Sequence, residues 1–322
     1  MAVITAPGAI AVRTPRHHSQ LWLAWRRYKR NKLAVTGAVV VLIFVVIGVI
    51  GPWVAPQNYA QANFLYANHA PSLRFPFGTD GLGHDMLSQV IWSFRNALEI
   101  AFGASLVSFL IGLALGLWAG LRGGLADMAV MRLVDFMFAF PNYFLSLFLV
   151  VAMGRSLLPI LLAIAIPGWA GYARLVRGLV LGMRNGEMVE AARALGATQR
   201  HIARKYLLPN VTNSIFVAIA FGVPFDLLVM ASLSLVGLGL RPPLPSFGNM
   251  IAQAGANVLG YPWLMYFPAA IFAVILLAFL FVADGLQEAL DPKAGEGGRV
   301  PRSRRLLQIA RGRSPAVGGA RL

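Results

Sequence analysis

Trp25-Arg-Arg-Tyr-Lys-Arg-Asn-Lys32 leads without interruption into Leu33-Ala-Val-Thr-Gly-Ala-Val-Val-Val-Leu-Ile-Phe-Val-Val-Ile-Gly-Val-Ile-Gly-Pro-Trp-Val54, a run of 22 residues without one charge. A run of that length matches the roughly 20 residues a helix needs to cross a bilayer. It is too long for the core of a cleaved signal peptide, and the basic cluster before it reads as a stop at one membrane face. Five more stretches follow the same pattern: Ala101 to Leu121, Phe136 to Met153, Leu157 to Ala173 with Pro159 and Pro167, Ser214 to Leu240 with Pro224 and Asp226, and Trp263 to Ala283 with Pro268. The third and fourth are separated only by the hairpin Gly154-Arg155-Ser156; one long broken helix there is the alternative, and it would change the topology. The expected fold class is an all-α membrane protein of six transmembrane helices.

Composition supports this reading. The 322 residues are 58% hydrophobic and 12% charged, with a mean hydropathy of +0.67. A soluble domain carries about twice that charged fraction, so a soluble enzyme, a secreted scaffold and a disordered chain are excluded. The chain has no cysteine, which removes disulfides, thiolate catalysis and Cys-ligated metals. The net charge of +16 is explained by its distribution. With the N-terminus taken as cytoplasmic, residues 1–32 hold seven Lys and Arg, 122–132 two, 174–205 seven and 286–322 eight, making 24 inside; only Arg74, Arg95, Arg155 and Arg241 lie outside. Both termini are therefore expected in the cytoplasm of a multi-pass protein of a plasma membrane. The cluster 25–32 sets orientation first, and contact with anionic membrane lipid second. The expected organisation is a cytoplasmic tail (1–32), a first span (33–54), an extracytoplasmic loop (55–96), a five-helix core (97–285) and a basic cytoplasmic tail (286–322). Residues 1–20 and 293–322 are rich in Pro, Gly, Ser and Arg without periodicity, as mobile tails are; a solubilising role, not nucleic-acid binding, is expected of the basic end.

Covalent chemistry finds no support. None of the four lysines follows a glycine, so no Walker-type phosphate loop exists, and no Gly-x-Ser-x-Gly elbow occurs. Histidines 17, 18, 69, 84 and 201 are scattered, and no metal site is expected; Asp80, His84 and Asp85 read as a hydrogen-bonded loop. Acids in or near the spans are few: Asp135, Asp226 and Asp284. A carrier driven by an ion gradient needs ionisable groups at mid-membrane, so Asp135 and Asp226 keep that class open, and an assembly scaffold is a third.

The segment between the fourth and fifth spans, Asn185 to Asn210, is the most informative. Asn185 is expected to cap a short helix with Glu187 and Glu190 in its first turn, favoured there by the helix dipole. Met188, Ala192 and Leu195 are expected on one face, and Glu190 and Arg193 on another. Gly196 suits the left-handed position after a helix, and Thr198 caps a second helix expected to run to Leu208, before Pro209 and Asn210. A short amphipathic helix followed by a break suits insertion into a groove on a cytoplasmic partner. Gly112, Gly116 and Gly120 repeat every four residues and form a stripe for close helix approach.

Glu190-Ala-Ala-x3-Gly196-x9-Tyr206-Leu-Leu-Pro209 resembles the EAA loop of bacterial ABC importer permeases, with Tyr206 where an aliphatic residue is usual. Phe77-Gly-Thr-Asp-Gly-Leu-Gly-His-Asp-Met-Leu-Ser88 is similar to a signature of the C-type permeases of dipeptide, oligopeptide and nickel importers, with His84 in place of its arginine. Met131 to Asp135 with Phe140-Pro141, Gly171 to Arg177, Leu238 to Pro243, Ser246 to Met250 and Asp284 to Pro292 match in order, over about residues 20–292. Ser93-Phe-Arg95 departs from the usual Gly-Ala-Arg. Many relatives carry an acid near Met230, where the closest here is Asp226, one turn earlier. The resemblance implies a core like that of the methionine-importer permease and a role as half of a translocation pathway, with peptides as solute and nickel or a sugar-like solute as the alternative. It implies no catalysis in this chain and no cofactor of its own; ATP and Mg would sit in two ATP-binding partner subunits. A B-type permease and an extracytoplasmic solute-binding protein would complete the assembly. Glu187, Glu190, Ala191, Ala192, Arg193, Gly196, Leu208 and Pro209 would then couple to the ATPase. Asp226, Met230 and Asp135 are the pathway candidates, and Asp80, Asp85, Arg95 and Arg241, read as exposed charges of the outer loops, are the candidates for docking the binding protein.

Overall fold

In a lipid interior a backbone amide has no water to bond, so each apolar run closes its hydrogen bonds within a helix. The computed structural model describes residues 20–255 and 257–291, which are mostly helical apart from the long segment 55–85, where one 3-10 turn (Phe64–Tyr66) forms, and shorter loops. A short amphipathic helix α1 (Gln20–Tyr28) precedes α2 (Lys32–Val54). After the outer loop come α3 (Met86–Arg122), α4 (Gly124–Ala139), α5 (Asn142–Met153) and α6 (Leu157–Met183). The segment from 185 to 210 holds α7 (Glu187–Ala194) and α8 (Gln199–Ile202), which leads through a π-helical turn (Ala203–Leu207) into α9 (Leu208–Leu235). A short helix α10 (Phe247–Gly255) and α11 (Trp263–Leu290) are the last elements among the described residues. The tails 1–19 and 292–322 lie outside the described residues.

Among the described residues, five helical runs are long and apolar enough to cross a membrane, and α4 with α5 makes a sixth only as a pair bent by 86°. The expected straight span Phe136 to Met153 is thus corrected to a broken one. Pro141 has no N–H to donate and disfavours helical geometry in the residue before it; Phe140 is accordingly extended (φ −104°, ψ 136°) and ends α4. The tight hairpin is present, with Gly154 at φ +106° between α5 and α6. Helix ends also differ from the apolar runs. α3 starts at Met86 instead of Ala101, so the last quarter of the expected loop 55–96 is helical. Its polar residues there are buried by the loop after α9: Asn96 Nδ2 donates to the Pro245 carbonyl at 2.7 Å. α6 continues beyond Ala173 to Met183 because Arg174 and Arg177 find acids on α4, Asp135 at 2.9 Å and Asp127. α11 likewise extends past Ala283 to Leu290, where Asn31 Nδ2 donates to Glu288 Oε2 at 3.0 Å.

The most extensive helix contact joins α3 to α6. Gly112, Gly116 and Gly120 are all buried along it. A Cβ at Gly116 would stand 2.6 Å from the Ala173 carbonyl oxygen and 2.9 Å from the Val176 Cβ. The glycine stripe therefore packs within the chain, backbone on backbone. By contrast α2 leaves Val39, Leu42, Ile43, Val46 and Val49 exposed and buries Phe44 against Phe94 and Phe279. Lipid is as apolar as leucine, so association here rests on close packing and not on hydrophobicity. Gly116→Leu is expected to lower the yield of folded chain several-fold, read by size-exclusion of detergent-solubilised protein. Gly178→Ala, where nothing lies within 4 Å, is the matched control and is expected to be neutral.

Candidate functional site

The segment between α6 and α9 is anchored by one face and open on the other. Val189 and Ala192 of α7 are buried together with Ile202, Leu207, Val176, Val180 and Val211. The remaining α7 positions, Glu187, Met188, Glu190, Ala191, Arg193 and Ala194, are exposed, as are Leu195 and Gly196 beyond it. The expected common face of Met188, Ala192 and Leu195 is thus split. Ala192 turns inward with Val189 at i,i+3, while Met188 and Leu195 stand at 62% and 89% exposure. The cap differs too: Gly186, not Asn185, holds the extended N-cap geometry (φ −76°, ψ 152°), with no side-chain bond. The C-terminal end is as the sequence reads. Gly196 lies at φ +81°, its N–H donates to Arg193 O at 2.9 Å and that of Ala197 to Ala192 O at 3.0 Å, a Schellman closure. Thr198 caps α8 through the His201 N–H at 3.3 Å. The expected stop before Pro209 does not occur. The π turn shifts the bonding register, with Leu208 N–H reaching Ala203 O, and Pro209 falls in the first turn of α9, where a missing N–H costs nothing. From Gln199 to Leu235 the chain is one continuous helical run.

The second locus is a cavity of about 110 Å³ in the bundle interior, at the break between α4 and α5. Phe138 and Asn142 flank it on either side of that break, Ser108 of α3, Ser146 of α5 and Tyr172 of α6 line it, and Gly171 leaves it open, whereas Gly168 and Gly222 pack against Ser108 and Tyr172. Asp226 of α9 is 8% exposed and faces this space. It makes no hydrogen bond or salt bridge among the described residues, whereas Tyr172 Oη lies 3.2 Å from Ser105 Oγ. Of the other two pathway candidates, Met230 is buried among Ile100, Val150, Ile160 and Leu233, and Asp135 is exposed and paired with Arg174. Neither lines the cavity. Tyr172, Asn142 and Ser146 belong to it and escape sequence reading, because they come from two helices and only the fold brings them to Asp226.

The outer loops correct the reading of exposed charges. Asp85 is 2% exposed and caps α3, its Oδ2 accepting from Ser88 N–H at 2.9 Å and Ser88 Oγ at 2.6 Å. Asp-x-x-Ser before an apolar run is a cap pattern, and it was there to be read. Asp80 is partly buried and organises the Gly-Thr-Asp turn, accepting from Leu82 and His84 N–H, His84 Nδ1 and Gln89 Nε2, each at 2.8–2.9 Å. No cluster of three metal-ligating side chains exists among the described residues. Arg95 pairs with Glu99 at 2.8 Å, and Arg241 is exposed. Asp80, Gln89, Asn68, Gln253 and Asn257 also border an outer cleft of about 310 Å³.

A helical bundle with a broken span, an acid open to an interior cavity and a short helix held outside the apolar core defines a membrane transport protein. Residues 112–296 match the family described as the binding-protein-dependent transport system inner membrane component, and residues 19–71 match the N-terminal transmembrane domain of oligopeptide transport permease C. The chain is 38% identical over 271 residues to the dipeptide transport system permease protein DppC of Bacillus subtilis, covering 84% of this chain and 85% of that one. It is 35% identical over 274 residues to the oligopeptide permease OppC of the same organism (85% and 90%), and 36% identical over 285 residues to the glutathione permease GsiD of Escherichia coli (88% and 92%). The methionine ABC transporter MetNI in an inward-facing conformation contains a chain of the same fold, with a TM-score of 0.53 at 21% identity, over 64% of this chain and 98% of that one. This chain belongs to the family of inner-membrane permease components of binding-protein-dependent transport systems. It is a multi-pass inner-membrane protein.

The buried cap gives a direct test of the outer loop. Asp85→Ala is expected to destabilise the purified protein by about 1 kcal/mol, the usual cost of a lost N-cap, seen as a lower midpoint in a thermal melt. Arg241→Ala, exposed, is expected to leave the midpoint unchanged.

Proposed function

We propose that this chain is half of the translocation pathway of an ATP-driven importer for peptides, and that α7 is its contact with the ATPase. The observation that carries the reading is the construction of the 187–209 segment. One face, Val189 and Ala192, is fixed to α6 and α9, and the other presents Met188 and Leu195 with the charged Glu187, Glu190 and Arg193 and the small Ala191 and Ala194. An apolar pair rimmed by charge suits burial in a groove of another protein. Movement of α7 would pass into the membrane through the buried contacts of Val189 and Ala192 with α6 and α9, and α9 is the helix that carries Asp226. The proposed topology puts both termini and this segment in the cytoplasm, supported by the excess of Lys and Arg on that side. The proposed partners are a B-type permease, two ATP-binding subunits that hold ATP and Mg, and an extracytoplasmic binding protein. This chain catalyses nothing itself. Peptides are the proposed solute because the dipeptide, oligopeptide and glutathione permeases are its relatives across most of its length. Arg95, Arg241 and the outer cleft bordered by Asp80 are the proposed docking features for the binding protein.

Glu190→Lys is the test. Glu190 is exposed in the first turn of α7, where a cation opposes the dipole and reverses the surface charge. In proteoliposomes holding the complete transporter, ATP-driven dipeptide uptake is expected to fall at least about tenfold while the chain still inserts and assembles. Normal uptake would remove α7 from the coupling path. Uptake driven by an imposed ion gradient without ATP would replace the importer reading by a secondary carrier.

A further inference from the structure

Asp226 is the one acid that the mechanism above places in the membrane interior without giving it a task. A carboxylate at that depth costs about 2.5–3.5 kcal/mol on insertion scales unless it meets water, a donor or a cation. Here it is more than nine-tenths buried, and its side chain ends in the cavity at the α4–α5 break. The cavity lining contains no lysine, arginine or histidine, and Arg174 of α6 is engaged with Asp135. The other polar groups on the wall are neutral: Ser108 Oγ donates to Ala165 O at 3.0 Å, while Asn142 and Ser146 present an amide and a hydroxyl. The site therefore offers one carboxyl group without a partner, neutral hydrogen-bonding groups and an apolar remainder including Phe138, Phe225 and Ile164. That combination is complementary to an ammonium group on a small, partly apolar body. Gly171 on the wall, with nothing within 4 Å of where a Cβ would be, leaves room for it.

We propose that this cavity is a transient binding site for the ammonium group of the solute in transit, with Asp226 as its counter-charge and Asn142 and Ser146 as neutral partners. The solutes it passes are then amines carrying a free cationic nitrogen, which includes unblocked peptides. The proposal rests on the permease reading and deepens it. The Asp226 carboxylate acts by charge alone, so a cation entering from either side is stabilised there and an anion is opposed.

The chain has no cysteine, which makes a direct probe available. Ser146→Cys places a thiol on the cavity wall, and Leu259→Cys, at 99% exposure, serves as an outer reference. In the assembled transporter, modification of this chain by the cationic ethylammonium methanethiosulfonate and by the anionic ethylsulfonate reagent is followed by mass, with and without nucleotide. The cation-to-anion rate ratio at 146, normalised to that at 259, is expected to exceed one by about tenfold or more, as one unit charge a few ångströms away produces at intermediate dielectric. Adding Asp226→Asn is expected to abolish the preference. In parallel, Asp226→Asn is expected to cut uptake of Ala-Ala at least about tenfold, with ATP hydrolysis and assembly retained and Asp226→Glu restoring uptake. Equal rates for the two reagents, or no modification at 146 in any nucleotide state, would overturn the site, and this arm needs only the native Asp226 if the Asn variant fails to assemble. A preserved cation preference with no Ala-Ala uptake by the native transporter would instead leave the site standing and refute peptides as the solute.

Discussion

Every departure from straight helix in this protein answers to one constraint, that a backbone group withdrawn from water must find another partner. At Phe140-Pro141 the chain breaks where proline removes the donor, and α5 restarts at a large angle. At Gly154 it turns within three residues because the hairpin lies at the edge of the apolar zone, and the Arg155 guanidinium bonds the Gly237 carbonyl at 2.6 Å. At Ala203–Leu207 a π turn keeps the backbone bonded while the register changes. These three places locate the cavity that Asp226 faces, the hairpin between α5 and α6 and the entrance of the 187–209 segment into the bundle. The functional geography of the chain follows from where its helices had to be interrupted.

Between those interruptions, the bundle is held in two ways. In the apolar zone α3 and α6 meet through glycine. At one end of α6 the holding is electrostatic: Arg174 to Asp135, Arg177 to Asp127, and Arg184 Nη1 to the Gly120 carbonyl at 3.1 Å. Exposed ion pairs of the first kind contribute little, about 0–1 kcal/mol. Their effect is geometric, fixing α4 against the half of α6 that leads to α7. The broken span is thereby tied to the helix next to the coupling segment, while its other half, α5, packs against the opposite half of α6.

Length of apolar run located the apolar segments and their order, but it under-read three helix ends. The reason is the same at each. Gln89, Ser93 and Asn96 at the start of α3, and Arg174 and Arg177 in α6, are polar residues bonded by neighbouring segments, and partners of that kind do not appear in a hydropathy window. Capping rules that need only three or four residues did well: Gly196 and Thr198 stand where their types suggest. Asp85 shows the opposite failure, since a cap residue was taken for a free charge when the Ser88 that it binds was visible in the sequence. Asp226 was legible as an isolated acid in a span. Its setting was not, because Asn142, Ser146 and Tyr172 reach it from helices separated by a proline break and a hairpin.

The α3–α6 seam carries a consequence for how this protein can change over generations. At Gly112 and Gly116 the surface opposite is main chain, with the Trp169 and Ala173 carbonyl oxygens 2.7 and 2.6 Å from where a Cβ would be. No substitution on α6 can trim a carbonyl, so a larger residue at either position has no compensating change available across the interface. At Gly120 the opposing atoms belong to the Val180 side chain, 2.7 and 2.9 Å away. There a valine-to-alanine exchange would remove the nearer atom, Cγ1, but keep the Cβ at 2.9 Å. Two glycines of the stripe are therefore bound to stay as they are, and the third could change only together with a loss of the side chain at position 180.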